Sequence, residues 1–195
     1  IPAGMFGYEP EKGLDFNIET AKKLLADAGY GEGKKKFPKI QLVFNTNEDH
    51  RRVAENIQAQ LKRNLGIEVE IQNEEWKVFL NRLKTDPPEI FRMGWLADYP
   101  DPDNFMNLMT SYSENNRTKW KNTSYDKLIE QAVAELNPEK RKSLYSQAQE
   151  LLVEKETPVI PLFNSVRQLL ISKRLENPPV NRLEHYSYKK VAIKQ

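Results

Sequence analysis

Residues 92–105 carry the sequence RMGWLADYPDPDNF, and the rest of the chain is organised around this stretch. It follows a short apolar approach at 89–91 that indicates the end of a strand. Gly94 removes a side chain where a bulky group could come close to the backbone. The stretch is therefore expected to form a loop at the end of a strand, where binding residues are commonly placed.

The composition of this loop favours a binding wall. Trp95 and Tyr99 offer flat, amphipathic surfaces, and Asp98 lies between them in the sequence. Pro100 and Pro102 restrict their own backbone and that of the residue before each of them, which makes the loop rigid. A rigid loop that presents aromatic rings and a carboxylate is typical of ligand-binding clefts.

A purely structural interpretation of the same residues stays open. Asp-Pro and Pro-Asp pairs are ordinary turn sequences, and Asp103 or Asn104 could simply cap a helix that starts near Phe105. Under that interpretation the loop only connects two elements.

Length and composition limit the class of protein. The 195 residues can bury a substantial core, which predicts one domain or one domain with an appendage. The net charge of +2 is spread along the chain and argues against a nucleic-acid surface. The sequence has no cysteine, which excludes disulfides and thiolate sites. Because the chain opens without methionine, a processed or excised product is expected.

The first half alternates predicted helices and strands. Glycines or prolines end most of these segments, and an N-capping asparagine precedes the first. The helices are predicted at 18–28, at 48–64 and after a cap within 73–75, with acids in the first turn of the third helix; the strands are predicted at 40–44, 67–72 and 89–91. This order predicts an α/β fold with a largely parallel or mixed sheet, in which ligands bind beyond the carboxyl ends of strands.

The second half is predicted to be mainly helical. One helix begins at Thr123 or Ser124 as its cap, and a second runs from a first-turn proline at 138 to about 156. Residues 158–163 and 166–171 indicate a pair of strands, and Val191 with Ile193 indicates a last short strand. From residue 173 onward the sequence has few residues that could form a core.

Catalytic and metal sites have weaker support in the sequence. Among the aspartates Asp98, Asp101 and Asp103, the last two resemble part of a calcium loop together with Asn104. The glycine and glutamate that such a loop requires are missing, whether counting starts at Asp98 or Asp101. Two of these carboxylates could serve glycoside hydrolysis, which stays a weaker alternative. His50 and His185 have no third ligand at suitable spacing. No metal or cofactor is expected, and binding gains support because the usual catalytic motifs are absent.

Several motifs in order resemble the family 5 extracellular solute-binding proteins, which are the oligopeptide- and dipeptide-binding components of ABC importers. The central motif is 94–105. The others lie at 21–30, 73–76, 113–116, 125–129, 141–145 and 158–162. The resemblance therefore covers nearly the whole chain.

The resemblance implies a two-lobed fold of which this chain is the carboxy-terminal part. Residues 1–163 would form the second lobe, a periplasmic-binding-protein-like lobe with a mixed sheet flanked by helices. Residues 164–195 would pack on the missing N-terminal lobe. The two lobes would close around a ligand.

The resemblance also implies which residues bind. Asp98 matches the aspartate that holds the α-ammonium of a bound peptide, and Trp95 and Trp76 match positions that line side-chain pockets. Arg92 and His50 match positions near the ligand where cations can receive carboxylates. The basic pair that some oligopeptide binders carry before this motif is replaced here by residues 83–84, Leu-Lys, which leaves the recognition of the peptide's carboxyl end open.

The function implied is that of a substrate-binding protein, not an enzyme. It would bind extended oligopeptides as a monomer and deliver them to the membrane permease of an ABC importer. It would be exported to the periplasm or held at the cell surface as a lipoprotein. Other cargoes of the same family, such as nickel, haem, sugars or antibiotics, stay open. Two rivals also stay open: a carbohydrate-active hydrolase, and an interaction domain with a repurposed cleft.

Overall fold

The computed structural model describes residues 1–31, 33–166, 168–180 and 186–194. The chain forms two compact units. Leu14–Gly94 make the first, which we call the sheet unit, and Ile1–Gly13 together with Trp95–Gln195 make the second, which we call the helical unit. The boundaries predicted from the resemblance, 1–163 and 164–195, stay predictions. Within the described ranges, no helix is both long enough and apolar enough to cross a bilayer.

The sheet unit confirms the predicted α/β alternation. Its elements are α1 (Ile18–Asp27), β1 (Ile40–Asn45), α2 (Glu48–Leu65), β2 (Val69–Glu74), α3 (Trp76–Thr85) and β3 (Ile90–Phe91). The three strands are parallel in the order β2-β1-β3, so β1 is central. Parallel strands place their carboxyl ends at one edge of the sheet, and the loop after β3 starts from that edge.

The central strand is buried on both faces. Leu42 and Phe44 pack with α2 and β2 on one side. Val43, between them in the sequence, packs with Phe79 and Leu83 of α3 on the other. Because successive side chains of a strand point to opposite faces, the apolar run of β1 contributes to both cores.

Local capping explains where the helices start, and it corrects two predictions. Asn17 caps α1 as predicted, accepting the Thr20 N–H at 2.8 Å. The cap of α3 lies within the predicted stretch, since the Glu75 carboxylate caps the helix, but the predicted first-turn acids were wrong: β2 continues through Glu74, and the first turn of α3 holds no acid. The cap of α5 is Asn122, one residue before the predicted choices. Asparagine and glutamate side chains both reach the free N–H groups of a first turn.

The helical unit is built on two long helices. Its elements are α4 (Asp103–Met106), a 3₁₀ turn (Asn107–Met109), α5 (Thr123–Ala134), α6 (Pro138–Glu150) and a π-helical turn (Leu151–Lys155). Its core lies between α5 and α6. The fully buried residues Tyr125 and Tyr145 are its largest side chains, and the Tyr125 hydroxyl donates to the Met106 carbonyl at 2.6 Å. This bond ties α4, at the end of the loop, to the core.

The strand pair predicted at 158–163 and 166–171 was wrong for the described residues, which form no strand there. Pro158 and Pro161 cannot donate to a ladder. Two apolar side chains in this segment are largely exposed, Ile160 at 78% and Val166 at 85%, whereas Val159 packs against the core of the helical unit. The predicted last strand is confirmed as β5 (Ala192–Ile193), which pairs antiparallel with β4 (Leu175–Glu176).

Candidate ligand-binding site

The loop 95–105, here called the aromatic loop, presents the surface that its sequence predicts. The Arg92 N–H donates to the Val43 carbonyl at 2.9 Å and extends the pairing of β3 just before the loop begins. Trp95 is 40% exposed and Tyr99 44%, while Asp98 is exposed and Ala97 between them is buried. The buried alanine anchors the loop, so the aromatic rings and the carboxylate face outward.

Asn104 connects the two residues of the loop predicted to bind. Its side-chain oxygen accepts the indole N–H of Trp95 at 2.7 Å and the backbone N–H of Asp98 at 3.3 Å. The side chain is buried, and the residue lies inside α4. The sequence interpretation offered Asn104 as a helix cap or as part of a calcium loop, and sequence spacing holds no sign of this contact.

Asp101 and Arg141 hold the loop against the long helices. The guanidinium of Arg141 donates to both carboxylate oxygens of Asp101 at 2.9 Å. It also donates to the Ala132 carbonyl at 2.9 Å and the Tyr145 hydroxyl at 3.1 Å. Its charge lies 5.7 Å from the ring centre of Phe6. Paired bonds of this kind are stronger and more directional than neutral hydrogen bonds.

The electrostatics of this contact favour both charges. Burial opposes ionisation of Asp101, but hydrogen bonds from Arg141 and from the Asp103 N–H outweigh it and hold the pKa of Asp101 below its ordinary value. The bond to Asp101 raises the pKa of Arg141. Burial raises the pKa of Tyr145 to about 12, so its hydroxyl stays protonated. The ion pair is therefore present at neutral pH.

The carboxylate of Asp103, the third aspartate of the loop, also has a hydrogen-bond partner. Asp103 accepts the Tyr99 hydroxyl at 2.9 Å. Burial, followed by this bond and the Asp103 charge, raises the pKa of Tyr99. Asp101 and Asp103, which could have served glycoside hydrolysis, thus have structural partners. Asp98 alone of the three aspartates has a carboxylate without a hydrogen bond or ion pair to the part of the chain that the structure describes.

Trp76 belongs to the sheet unit, where it begins α3. The Glu75 carboxylate accepts the N–H groups of Lys77 and Val78 and fixes this helix start. The Trp76 ring lies 6.1 Å from the ring of buried Phe79, yet 47% of the residue remains exposed. Its indole N–H makes no hydrogen bond within the described residues. Trp76 is therefore anchored on one side and open on the other.

Arg92 and His50 form a second part of the sheet unit, here called the cationic pair, in which Arg92 carries the charge and His50 is mainly neutral at neutral pH. The His50 ring nitrogen Nδ1 lies 3.3 Å from the Asn45 carbonyl. Burial, together with the nearby charge of Arg92, lowers the pKa of His50 despite that contact. Burial also lowers the pKa of Arg92, which has no ion pair among the described residues. A half-buried cation without a counter-ion can receive an anionic group.

The Arg92 side chain lies beside Gly94. A Cβ at position 94 would lie 3.4 Å from the nearest guanidinium nitrogen of Arg92, an ordinary contact distance. The close approach of a bulky group predicted for Gly94 stays a prediction.

A metal has little to bind in the described ranges, which contain no group of three or more His, Asp or Glu side chains placed to hold an ion. His50 contacts a backbone carbonyl instead of a second ligand side chain. His185, the other histidine considered, lies outside the described residues.

The residues predicted to bind therefore fall into two groups. Asn104 brings Trp95 and Asp98 together in the helical unit. In the sheet unit, Arg92 is close enough to His50 to affect its pKa. Trp76 belongs to the sheet unit and opens to solvent there.

Comparison with known proteins identifies the family of the chain that carries this site. The family described as "Bacterial extracellular solute-binding proteins, family 5 Middle" matches residues 1–117. The periplasmic murein peptide-binding protein MppA of Escherichia coli is 34% identical over 168 residues, which cover 86% of this chain and 31% of MppA. The solved structure of MppA matches this chain with a TM-score of 0.89 at 30% sequence identity. The match covers 100% of this chain and 39% of the MppA chain.

Two further relatives have names that give different ligands, an oligopeptide and haem. The oligopeptide-binding protein OppA of Bacillus subtilis is 36% identical over 170 residues, covering 84% of this chain and 31% of OppA. Heme-binding protein A of Haemophilus influenzae is 32% identical over 181 residues, which cover 90% of this chain and 33% of that protein. The chain thus spans about a third of the length of these relatives. The resemblance drawn from the sequence motifs is confirmed: the chain belongs to the bacterial extracellular solute-binding proteins of family 5.

Proposed function

We propose that the chain is part of the substrate-binding component of an ABC importer and that it binds extended oligopeptides by their free amino ends. The observation that carries this proposal is the state of Asp98. Its backbone is fixed by Asn104, while its carboxylate is exposed and has no partner in the described residues. The other two aspartates of the aromatic loop are paired.

A free carboxylate on a fixed backbone suits an α-ammonium group. A hydrogen bond to a charged group contributes about 1.5–3 kcal/mol, and more of it is retained where water is excluded. Trp95, held by the same Asn104 oxygen, gives a flat apolar surface beside this anchor. Aromatic surfaces accept many side chains, so selection would fall on the peptide backbone and its amino end.

The cationic pair Arg92 and His50 would receive a carboxylate of the ligand. Support comes from the missing counter-ion of Arg92 within the described residues and from the burial that lowers its pKa. The exposed face of Trp76 would add a second aromatic wall. These assignments rest on the family resemblance together with the exposure of each side chain.

The proposal includes a transport context. Relatives named as periplasmic peptide-binding proteins support export to the periplasm. Attachment at the cell surface as a lipoprotein is the other location that the proposal allows. The protein would act as a monomer and without catalysis: two lobes would close on the ligand, and the membrane permease would recognise the closed form.

Residues 164–195 would pack on the N-terminal lobe in this arrangement. The exposure of the segment supports this, because Val166 and Leu170 are almost entirely accessible and the apolar surface of a folded protein is normally covered.

A second cargo is supported by one comparison. Heme-binding protein A matches nearly the whole chain at an identity close to that of the peptide binders. The exposed rings of Trp95, Tyr99 and Trp76 could also contact a flat apolar ligand. Under this alternative the Asp98 carboxylate would have no dedicated partner in the ligand.

Native mass spectrometry separates these cargoes. The protein is the product of the complete reading frame that encodes these residues, purified without denaturation. We expect a mixed set of small peptide adducts, strongly depleted in Asp98→Asn and retained in Asp15→Asn, a matched change at an exposed aspartate. A single adduct of fixed mass would favour a specific cargo. Peptide adducts unaffected by Asp98→Asn would contradict the anchor.

A further inference from the structure

We propose that Asn104 is a positioning residue that sets the preference for a free amino end. Its buried side-chain oxygen accepts hydrogen bonds from both the Trp95 indole and the Asp98 backbone N–H, and so holds the two residues together. This inference rests on the proposed peptide function, and it adds a residue that does not itself touch the ligand.

The two bonds identify the atom involved. An indole N–H and a backbone N–H can only donate, so the side-chain atom that receives both must be the carbonyl oxygen of the amide. The two donors lie 2.7 Å and 3.3 Å from that oxygen. One acceptor with two lone pairs therefore links a residue of the aromatic wall to the residue of the proposed ammonium anchor.

The surroundings of Asn104 keep this oxygen in place. Asn104 is 7% exposed, so water does not compete freely for the oxygen. Its own N–H donates to the Asp101 carbonyl at 3.1 Å. Asp101 is in turn held by Arg141, and the end of α4 is held by the Tyr125 hydroxyl on the Met106 carbonyl. The position of Asn104 is thus fixed from both sides of the loop.

This arrangement matters because, among the residues that the structure describes, the bond to Asn104 is the one hydrogen bond that Asp98 makes. If the backbone N–H of Asp98 lost its acceptor, the residue could rotate and the carboxylate would sample several directions. The Trp95 ring would turn at the same time, because its N–H would need water. An anchor ordered before binding spends less of its interaction energy on immobilisation, and this difference should appear as affinity for the charged amino end.

The test uses three variants of the complete protein. Asn104→Leu keeps a similar size and removes the acceptor, Asn104→Asp keeps an acceptor oxygen, and Asn107→Leu makes the same change at an exposed asparagine three residues on. The ligand-free measurement is the solvent exchange of the Trp95 indole N–H, assigned by its loss in Trp95→Phe. We expect exchange about tenfold faster in Asn104→Leu, and near wild-type rates in Asn104→Asp and Asn107→Leu.

The binding measurement compares tri-alanine with N-acetyl tri-alanine. We expect the wild type to prefer the free amine and the ratio of affinities to fall about tenfold in Asn104→Leu, with recovery in Asn104→Asp. Unchanged indole exchange in Asn104→Leu, or a loss of preference equal to that in Asn107→Leu, would overturn the inference. If the wild type shows no preference, the proposed function fails, while the indole exchange still decides whether Asn104 positions the loop.

Discussion

The aromatic loop and the cationic pair differ in how completely their polar groups are partnered. In the loop, the side chains of Trp95, Tyr99 and Asp101 have partners in Asn104, Asp103 and Arg141, while the Asp98 carboxylate has none among the described residues. In the cationic pair, Arg92 has no counter-ion among the described residues, and His50 contacts only a backbone carbonyl. The loop is ordered by its own unit, while the pair is left open to a group from outside.

This difference indicates two kinds of recognition within the proposed function. A fixed carboxylate discriminates strictly, because a group that cannot pair with it leaves a charge unsatisfied. An open cation such as Arg92 tolerates carboxylates at several distances, since charge attraction falls off gradually. A peptide binder built in this way would read the amino end closely and accept variation at the other end.

The largest expected effect is the loss of Arg141. Arg141→Met removes two bonds to Asp101, one to the Ala132 carbonyl and one to Tyr145, and leaves Asp101 without its counter-ion. Both side chains are partly exposed, so we expect the free energy of unfolding to fall by about 2–3 kcal/mol, below the loss for a fully buried pair. Urea denaturation measures this change.

The matched control is Arg52→Met. Arg52 pairs with Asp49 at 3.8 Å, and both side chains are largely exposed, so the change should stay within about 0.5 kcal/mol. Equal losses in the two variants would show that the loop is not held by Asp101 and Arg141, and the contrast with the cationic pair would disappear.

The next effect compares two tryptophans. Trp95→Phe deletes the stronger bond to the buried Asn104 oxygen, and we expect a loss of about 1 kcal/mol in the free energy of unfolding. Trp76→Phe deletes an indole N–H without a partner in the described residues, so its loss should be a few tenths of a kcal/mol at most. A larger loss for Trp76→Phe would contradict the division into a fixed and an open region.

Much of the fold could be predicted because it depends on neighbours in the sequence. The helix α2 follows its apolar spacing and ends at Gly66, whose φ of 67° suits glycine. The outward rings of Trp95 and Tyr99 follow from a short loop fixed by prolines. Local sequence carries the information for each of these features.

The remaining features depend on partners that sequence spacing does not reveal. Arg141 is 40 residues from Asp101, and neither residue marks the other as its partner. Residues 158–163 have the composition of a strand, but a strand also needs a neighbouring chain to pair with, and the described residues provide none. The acids predicted for the first turn of α3 were wrong for a similar reason, because pairing with β1 extends β2 to Glu74.

A smaller effect is expected when acid titrates the loop. The folded-state pKa of Asp101 lies below its ordinary value of about 3.9, so the stability it contributes is complete above that value and is lost as the pH falls through the folded pKa. The difference in unfolding free energy between wild type and Asp101→Asn should therefore shrink below about pH 4. A difference that stays constant down to pH 2 would show that the charge of Asp101 does not support the loop.

The smallest effect concerns His50 and tests whether the cationic pair is open to a ligand. Burial and the charge of Arg92 lower the folded-state pKa of His50 below the ordinary value of about 6.5. The unfolded state therefore binds more protons just below that pH, and the His50 contribution to stability falls as the pH drops.

Proton NMR measures the pKa of His50 directly, and His50→Gln assigns the signal, since the chain has two histidines. Arg92→Met should raise this pKa, and binding of tri-alanine should raise it in the wild type if a carboxylate reaches the pair. A free-state pKa clearly above about 6.5 would show that His50 already has an anionic partner, and the cationic pair would then be as closed as the aromatic loop.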